Sequence, residues 1–114
     1  MTQRSDDKLR DVLEASPIGI AILNRATGKR LFVNTALVKI LGAASREDLI
    51  DRDISETWVD PNDLRQAFSA FQNNQVLSNM EVERKRLDGR RWRVLMNTQP
   101  LVFEGSDAGI VWHT

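Results

Sequence analysis

"SNMEVERKRLDGRRWRVLMNTQPL", residues 78–101, decides how the rest of the 114-residue chain is read. Apolar and polar side chains alternate on both sides of Asp88-Gly89, a pair that favours a tight turn between antiparallel strands because both residues tolerate positive φ. The stretch is therefore predicted as two long strands, 78–87 and 90–101, joined by a hairpin. Successive strand side chains point to opposite sides. Met80, Val82, Arg84 and Arg86 thus share one face, as do Trp92, Val94, Met96 and Thr98, and these faces are assigned to the interior. Leu95 falls on the other side.

Working outward, "GIVWHT", 109–114, reads as a third strand with Ile110 and Trp112 on one face and Val111 and His113 on the other. "IGIAILN" has no polar side before Asn24, so both of its faces should be covered. It pairs through the turn "NRATGKR" with "LFVN", giving a first hairpin over 18–34. Ahead of it, "SDDKLRDVLEAS" carries Leu9, Val12 and Leu13 on one helical stripe, with Ser5 and two aspartates near its start and Pro17 as its stop. Between the hairpins Asn34 can cap a helix that ends at Gly42, and Ser45 with Asp48 resembles a capping box. Asp60-Pro61 starts the longest helix, with Leu64, Ala67, Phe68 and Phe71 as its buried stripe. Helix, two strands, several helices and three strands indicate an α+β domain, an antiparallel sheet with helices gathered on one face.

The length suits one core, and 16 Lys+Arg balance 16 Asp+Glu, which disfavours a globally basic nucleic-acid binder. Six bases do crowd 84–93, but seven acids occupy 47–63, so their fields cancel. No apolar run approaches a membrane span of roughly 20 residues, and the start lacks a secretory signal's apolar centre, so a cytoplasmic protein without membrane insertion is expected. The absence of cysteine excludes disulfides, thiolate catalysis and Cys-based metal sites. No nucleophile, metal-ligand or phosphate-loop pattern is present, so neither a catalytic residue nor a metal ligand is assigned.

"LEASPIGIAILN", "FVNTALVKILG", "SREDLI", "WVDPND", "RLDGRRW" and "PLVFEGSDAGIVWHT" occur in an order and spacing that resemble the PAS family of sensory domains across nearly the whole chain. Where relatives often carry a glycine after the third of these blocks, this chain has Asp51. The resemblance implies a five-stranded antiparallel sheet of order 2-1-5-4-3 cradling a ligand pocket against the helices. It also implies a segment of a longer bacterial signalling protein, with 1–16 as a dimerising or capping helix and 17–114 as the sensory domain. Histidine kinase and diguanylate cyclase domains are the expected outputs, covalently linked beyond the segment.

Combining the alternation with that fold, the expected pocket comprises Leu37, Leu41, Trp58, Leu64, Phe68, Phe71, Met80, Val82, Arg84, Trp92, Val94, Met96, Val111 and His113. Arg84 occupies a position where flavin-binding relatives carry a polar side chain. With Arg86 it could bind a small anionic ligand such as a carboxylate, or it could pair with Asp53, Glu56 or Asp60 on the facing helices; the second reading is favoured. His113 sits where light-sensing relatives place a cofactor-touching glutamine. It is either a switchable sensor group or an ordinary strand-end residue, and the latter is favoured. Flavin-adduct and coumarate chemistry need the missing cysteine, and the long helix offers no histidine for haem. Non-covalent FAD, a small metabolite and a filled core that binds nothing all stay open. The outer face, with Leu95, Ile110 and Trp112, is expected to be covered by Leu9, Val12 and Leu13, from the same chain or from the partner in a homodimer.

Overall fold

A computed structural model describes residues 2–114, with side chains from Asp6 onward. The expected role of Ser5 at the helix start lies outside the described side chains. Helix α1 runs Thr2–Ala15 and is followed by the hairpin β1 (Gly19–Asn24) and β2 (Arg30–Val33). Then come α2 (Thr35–Leu41), α3 (Arg46–Asp51), a 3-10 turn (Ile54–Thr57) and α4 (Pro61–Gln72). Strands β3 (Leu77–Lys85), β4 (Arg91–Phe103) and β5 (Ser106–His113) close the chain. All five strands form one antiparallel sheet of order β2-β1-β5-β4-β3, so β2 and β3 are its edges.

The local reasons are those expected. The side chains of Asn34, Ser45 and Asp60 accept hydrogen bonds from the first-turn N–H groups of Leu37, Asp48 and Asn62, and Gly42 takes the left-handed conformation that ends α2. Asn34 does more than cap. Its Oδ1 also accepts from Ile20 N–H at 2.9 Å, and its amide donates to Leu13 O at 2.9 Å and Ile18 O at 2.8 Å, joining the end of α1, the start of β1 and α2.

The predicted tight turn at Asp88-Gly89 is wider than two residues. Strand pairing stops at Lys85 and resumes at Arg91, the loop closes through Arg86 N–H to Arg90 O at 2.7 Å, and Leu87 N–H donates to Leu41 O at 2.9 Å. Leu87 is drawn toward the core beside Leu41, which pulls the loop open. The two-residue turn with positive φ at both positions lies instead at Glu104-Gly105.

Helix α1 covers the outer face of its own sheet. Leu13 and half-buried Leu9 pack with Ile20, Ile22, Phe32, Phe103, Ala108 and Ile110, and the Arg10 guanidinium lies over the rings of Phe32 and Phe103. Of the residues expected at a dimer surface, Leu9, Leu13 and Ile110 therefore meet within one chain. Val12 and Leu95 are exposed and Trp112 is half-buried. The outer face is also less uniformly apolar than expected. Along β3 and β4 it carries the ion pairs Glu81–Arg93 and Glu83–Arg91, which run diagonally across the two strands, since Arg93 sits opposite Glu83 and Arg91 opposite Lys85.

Candidate functional site

Between the inner face of the sheet and the helices lies a cavity of about 50 Å³. Leu37, Leu41, Trp58, Leu64, Phe68, Phe71, Arg84, Met96, Val111 and His113 line it, together with Ala21, Leu23, Arg30, Ile54, Ala67 and Thr98. Met80, Val82, Trp92 and Val94 lie on the same side but outside the cavity. Val82 pairs with Val94, and all four pack in a cluster with Trp58 and Ala67. Strand alternation determines which side a residue faces; the packing of the helices over the sheet determines whether space remains above it. Gly109 matters here, because a Cβ added to it would fall 2.1 Å from Cε2 of Phe71. The bare backbone lets that ring rest on the sheet as part of the cavity wall.

Arg84 is 4% exposed and reaches the site from β3. Its Nε–H donates to Thr57 O at 2.8 Å, an NH2 hydrogen to Thr57 Oγ1 at 2.7 Å, and an NH1 hydrogen to Met96 Sδ at 3.4 Å. The guanidinium also lies 4.4 Å from the ring centroid of Trp58. The expected pairing with Asp53, Glu56 or Asp60 is absent. Asp53 and Asp60 point back at Ser55 N–H and Asn62 N–H as helix caps, and Glu56 pairs with Arg52. Burial pulls the Arg84 pKa down to about 9, and the charge of Arg30 pulls in the same direction. Arg84 is still a cation at neutral pH.

The second guanidinium is that of Arg30, also 4% exposed, and not that of Arg86. Arg30 comes from the opposite edge of the sheet. A register shift between Ile22 and Leu23 sets Arg30, rather than Leu31, opposite Leu23, whose side chain also lines the cavity. Its NH1 donates to Leu49 O at 2.9 Å and Arg52 O at 3.3 Å, while NH2 lies 3.5 Å from Thr57 Oγ1. Burial lowers its pKa, opposed by the charges of Glu56 and Asp53. The Thr57 hydroxyl donates onward to Ile54 O at 3.2 Å, leaving its lone pairs to both arginines. Arg86 lies outside the cavity beside Gly42, 4.0 Å from Asp88.

His113 is buried rather than at the surface. Its Nδ1 is 2.8 Å from Gly19 O, so Nδ1–H donates and the ring is held as one neutral tautomer. Burial, reinforced by the positive charge of Arg84, depresses its pKa to about 3. It does not change charge near neutral pH, contrary to the switching role considered for it. The site therefore presents two fixed cations, one neutral imidazole and an apolar wall. Among the described residues no cluster of three metal-ligating side chains occurs, and no helix is long and apolar enough to cross a membrane.

Comparison with known proteins gives a consistent result. The family model described as the PAS fold matches residues 7–113. The PAS domain of an HTR-like protein from Haloarcula marismortui is 23% identical, with a TM-score of 0.76 over 98% of this chain and 92% of that one. A PAS domain from a two-component sensor histidine kinase is 18% identical, with a TM-score of 0.80 over 100% and 98%. A domain of a sensory box sensor histidine kinase/response regulator from Geobacter sulfurreducens is also 18% identical, with a TM-score of 0.78 over 96% and 94%. No curated protein matches the chain.

Proposed function

The chain belongs to the PAS fold family, and from that premise we propose that it is the sensory module of a larger bacterial signalling protein, binding a small molecule non-covalently and relaying its presence through a homodimer. Members of this family are in general sensory and non-catalytic, and similarity to PAS domains of sensor histidine kinases supports a kinase output. A diguanylate cyclase is the other output considered. Either one consumes nucleoside triphosphates, which argues for a cytoplasmic location.

The observation that carries this reading is the connection between the cavity and α1. Leu37 and Leu41 of α2 line the cavity, and the residue that caps α2, Asn34, donates to Leu13 O in the last turn of α1. A molecule that shifts α2 therefore acts on α1, the helix through which the relay to a partner is proposed to pass. At about 50 Å³ the cavity is far below the several hundred Å³ that enclose drug-sized ligands, which favours a small metabolite over FAD. In the dimer, exposed Val12 and Leu95 with half-buried Trp112 would form the contact, since Leu9, Leu13 and Ile110 are already packed within the chain.

Native mass spectrometry under gentle and then denaturing conditions tests this. A stoichiometric small molecule lost on denaturation, carried on a dimer, is the expected result. Bare polypeptide at twice the monomer mass would favour a ligand-free dimerising relay, and bare monomer at high concentration would remove the dimer from the mechanism.

A further inference from the structure

We propose that the cavity ligand is a short-chain monocarboxylate, its carboxylate held by Arg84 and Arg30 and its alkyl part against α2 and α4. This rests on the sensor reading above and names the chemical class that site selects. Two guanidinium groups, carried by the two edge strands, converge across three intervening strands on one threonine hydroxyl. Neither forms an ion pair with a carboxylate among the described residues, and no acidic residue lines the cavity. Burying one charge without a counter-charge is costly, and placing two like charges in the same apolar chamber is costlier still. An anion between them relieves both.

The donors left over fit a carboxylate. A guanidinium has five N–H groups. Three of those on Arg84 are engaged, one of them only by a thioether sulfur, which is a weak acceptor. An N–H on each terminal nitrogen is left for a two-oxygen acceptor, the arrangement in which arginine and carboxylate bind most strongly. The carbonyls of Leu49 and Arg52 hold Arg30 in place and the charges of Glu56 and Asp53 partly offset its own, so a single negative charge is enough. Apart from His113 and Thr98 the remaining wall, including Leu37, Leu41, Ile54 and Phe71, is apolar and suits a hydrocarbon tail. A volume of about 50 Å³ admits a few water molecules or a carboxylate of a few carbons.

The test uses the 114-residue chain with sodium propionate as probe, sodium chloride at matched ionic strength as the charge control and propionamide as the neutral isostere. Propionate should raise the thermal midpoint progressively with concentration, as ligand linkage requires, while chloride and propionamide do not. It should also move the Nε–H resonance of Arg84 in a nitrogen–proton correlation spectrum. Arg84→Gln and Arg30→Gln should each weaken the response by about tenfold or more. If Arg84→Gln fails to fold, Arg84→Lys keeps the charge without the fork and should still lose most of the response. An equal effect of propionamide or chloride, no propionate effect beyond the controls, or an undiminished response in the variants overturns the assignment. A neutral molecule found by native mass spectrometry would sink the carboxylate class and leave the sensor standing; a bare dimer would sink both.

Discussion

The two faces of the sheet are built from the same residue types and end in different states. On the outer face Phe32 and Phe103, centroids 6.4 Å apart, are sealed by α1, and Phe103 has no exposed surface. On the inner face the helices stand off far enough to leave a cavity, with Phe68 half-buried against it and two guanidinium groups among its walls. Close packing maximises dispersion contacts and hydrophobic burial, so the outer face supplies stability. The inner face forgoes part of that and keeps hydrogen-bond donors available. Close packing and open donor groups are thus separated by the thickness of one sheet.

The same truncation made on both faces tests this most sharply. Phe103→Ala should cost about 3–5 kcal/mol in urea denaturation, whereas Phe68→Ala should cost under about 2 kcal/mol because less surface is buried and the cavity already exists. Equal losses would mean that the inner face is packed as tightly as the outer. Asn34→Ala strips four hydrogen bonds shared by both faces. It should destabilise by about 2–4 kcal/mol, since buried donors and acceptors lose their partner together.

A third prediction concerns acid. His113, the sole histidine, has a folded pKa of about 3, against about 6.5 unfolded. The unfolded chain therefore binds the proton first, and stability present above pH 6.5 is lost as pH falls. The loss from pH 7 to 5 should be about 2 kcal/mol. His113→Gln should flatten the curve in that window, and a curve unchanged by the substitution would show that the imidazole is not buried neutral. The smallest effect belongs to the outer edge. Arg93→Ala, which removes the exposed pair with Glu81, should change stability by no more than about 0.5 kcal/mol.

Local chemistry was legible in the sequence and long-range placement was not. Asn34, Gly42, Ser45 and Asp60 could be read as caps because each acts within a few residues of itself, and the strand order followed once the family resemblance was recognised. The inward set on β3 and β4 was readable from alternation, yet alternation could not show that Val82 and Val94 fill space while Met96 borders it. Arg30 was missed because a single register irregularity turns it inward, and nothing in "GKRLFVN" marks that bulge. Thr57 was missed for a related reason. Its neighbours Asp53, Glu56 and Asp60 looked like partners for arginine, whereas a neutral hydroxyl and a carbonyl one residue from Trp58 took that place. The stripe on α1 was plain, but an amphipathic helix fits its own sheet or another's equally well on paper.

The four hydrogen bonds of Asn34 have a kinetic consequence. Lifting α1 off the sheet removes Leu13 O from the same amide that satisfies Ile18 O, and it loosens the oxygen shared by Ile20 N–H and Leu37 N–H. Detachment of the helix and fraying of α2 at the cavity wall are therefore a single opening event, and local openings of this kind are visible as solvent exchange. The amide protons of Ile20 and Leu37, on different elements, should exchange with deuterium at a common rate. Any molecule that steadies α2 should slow both.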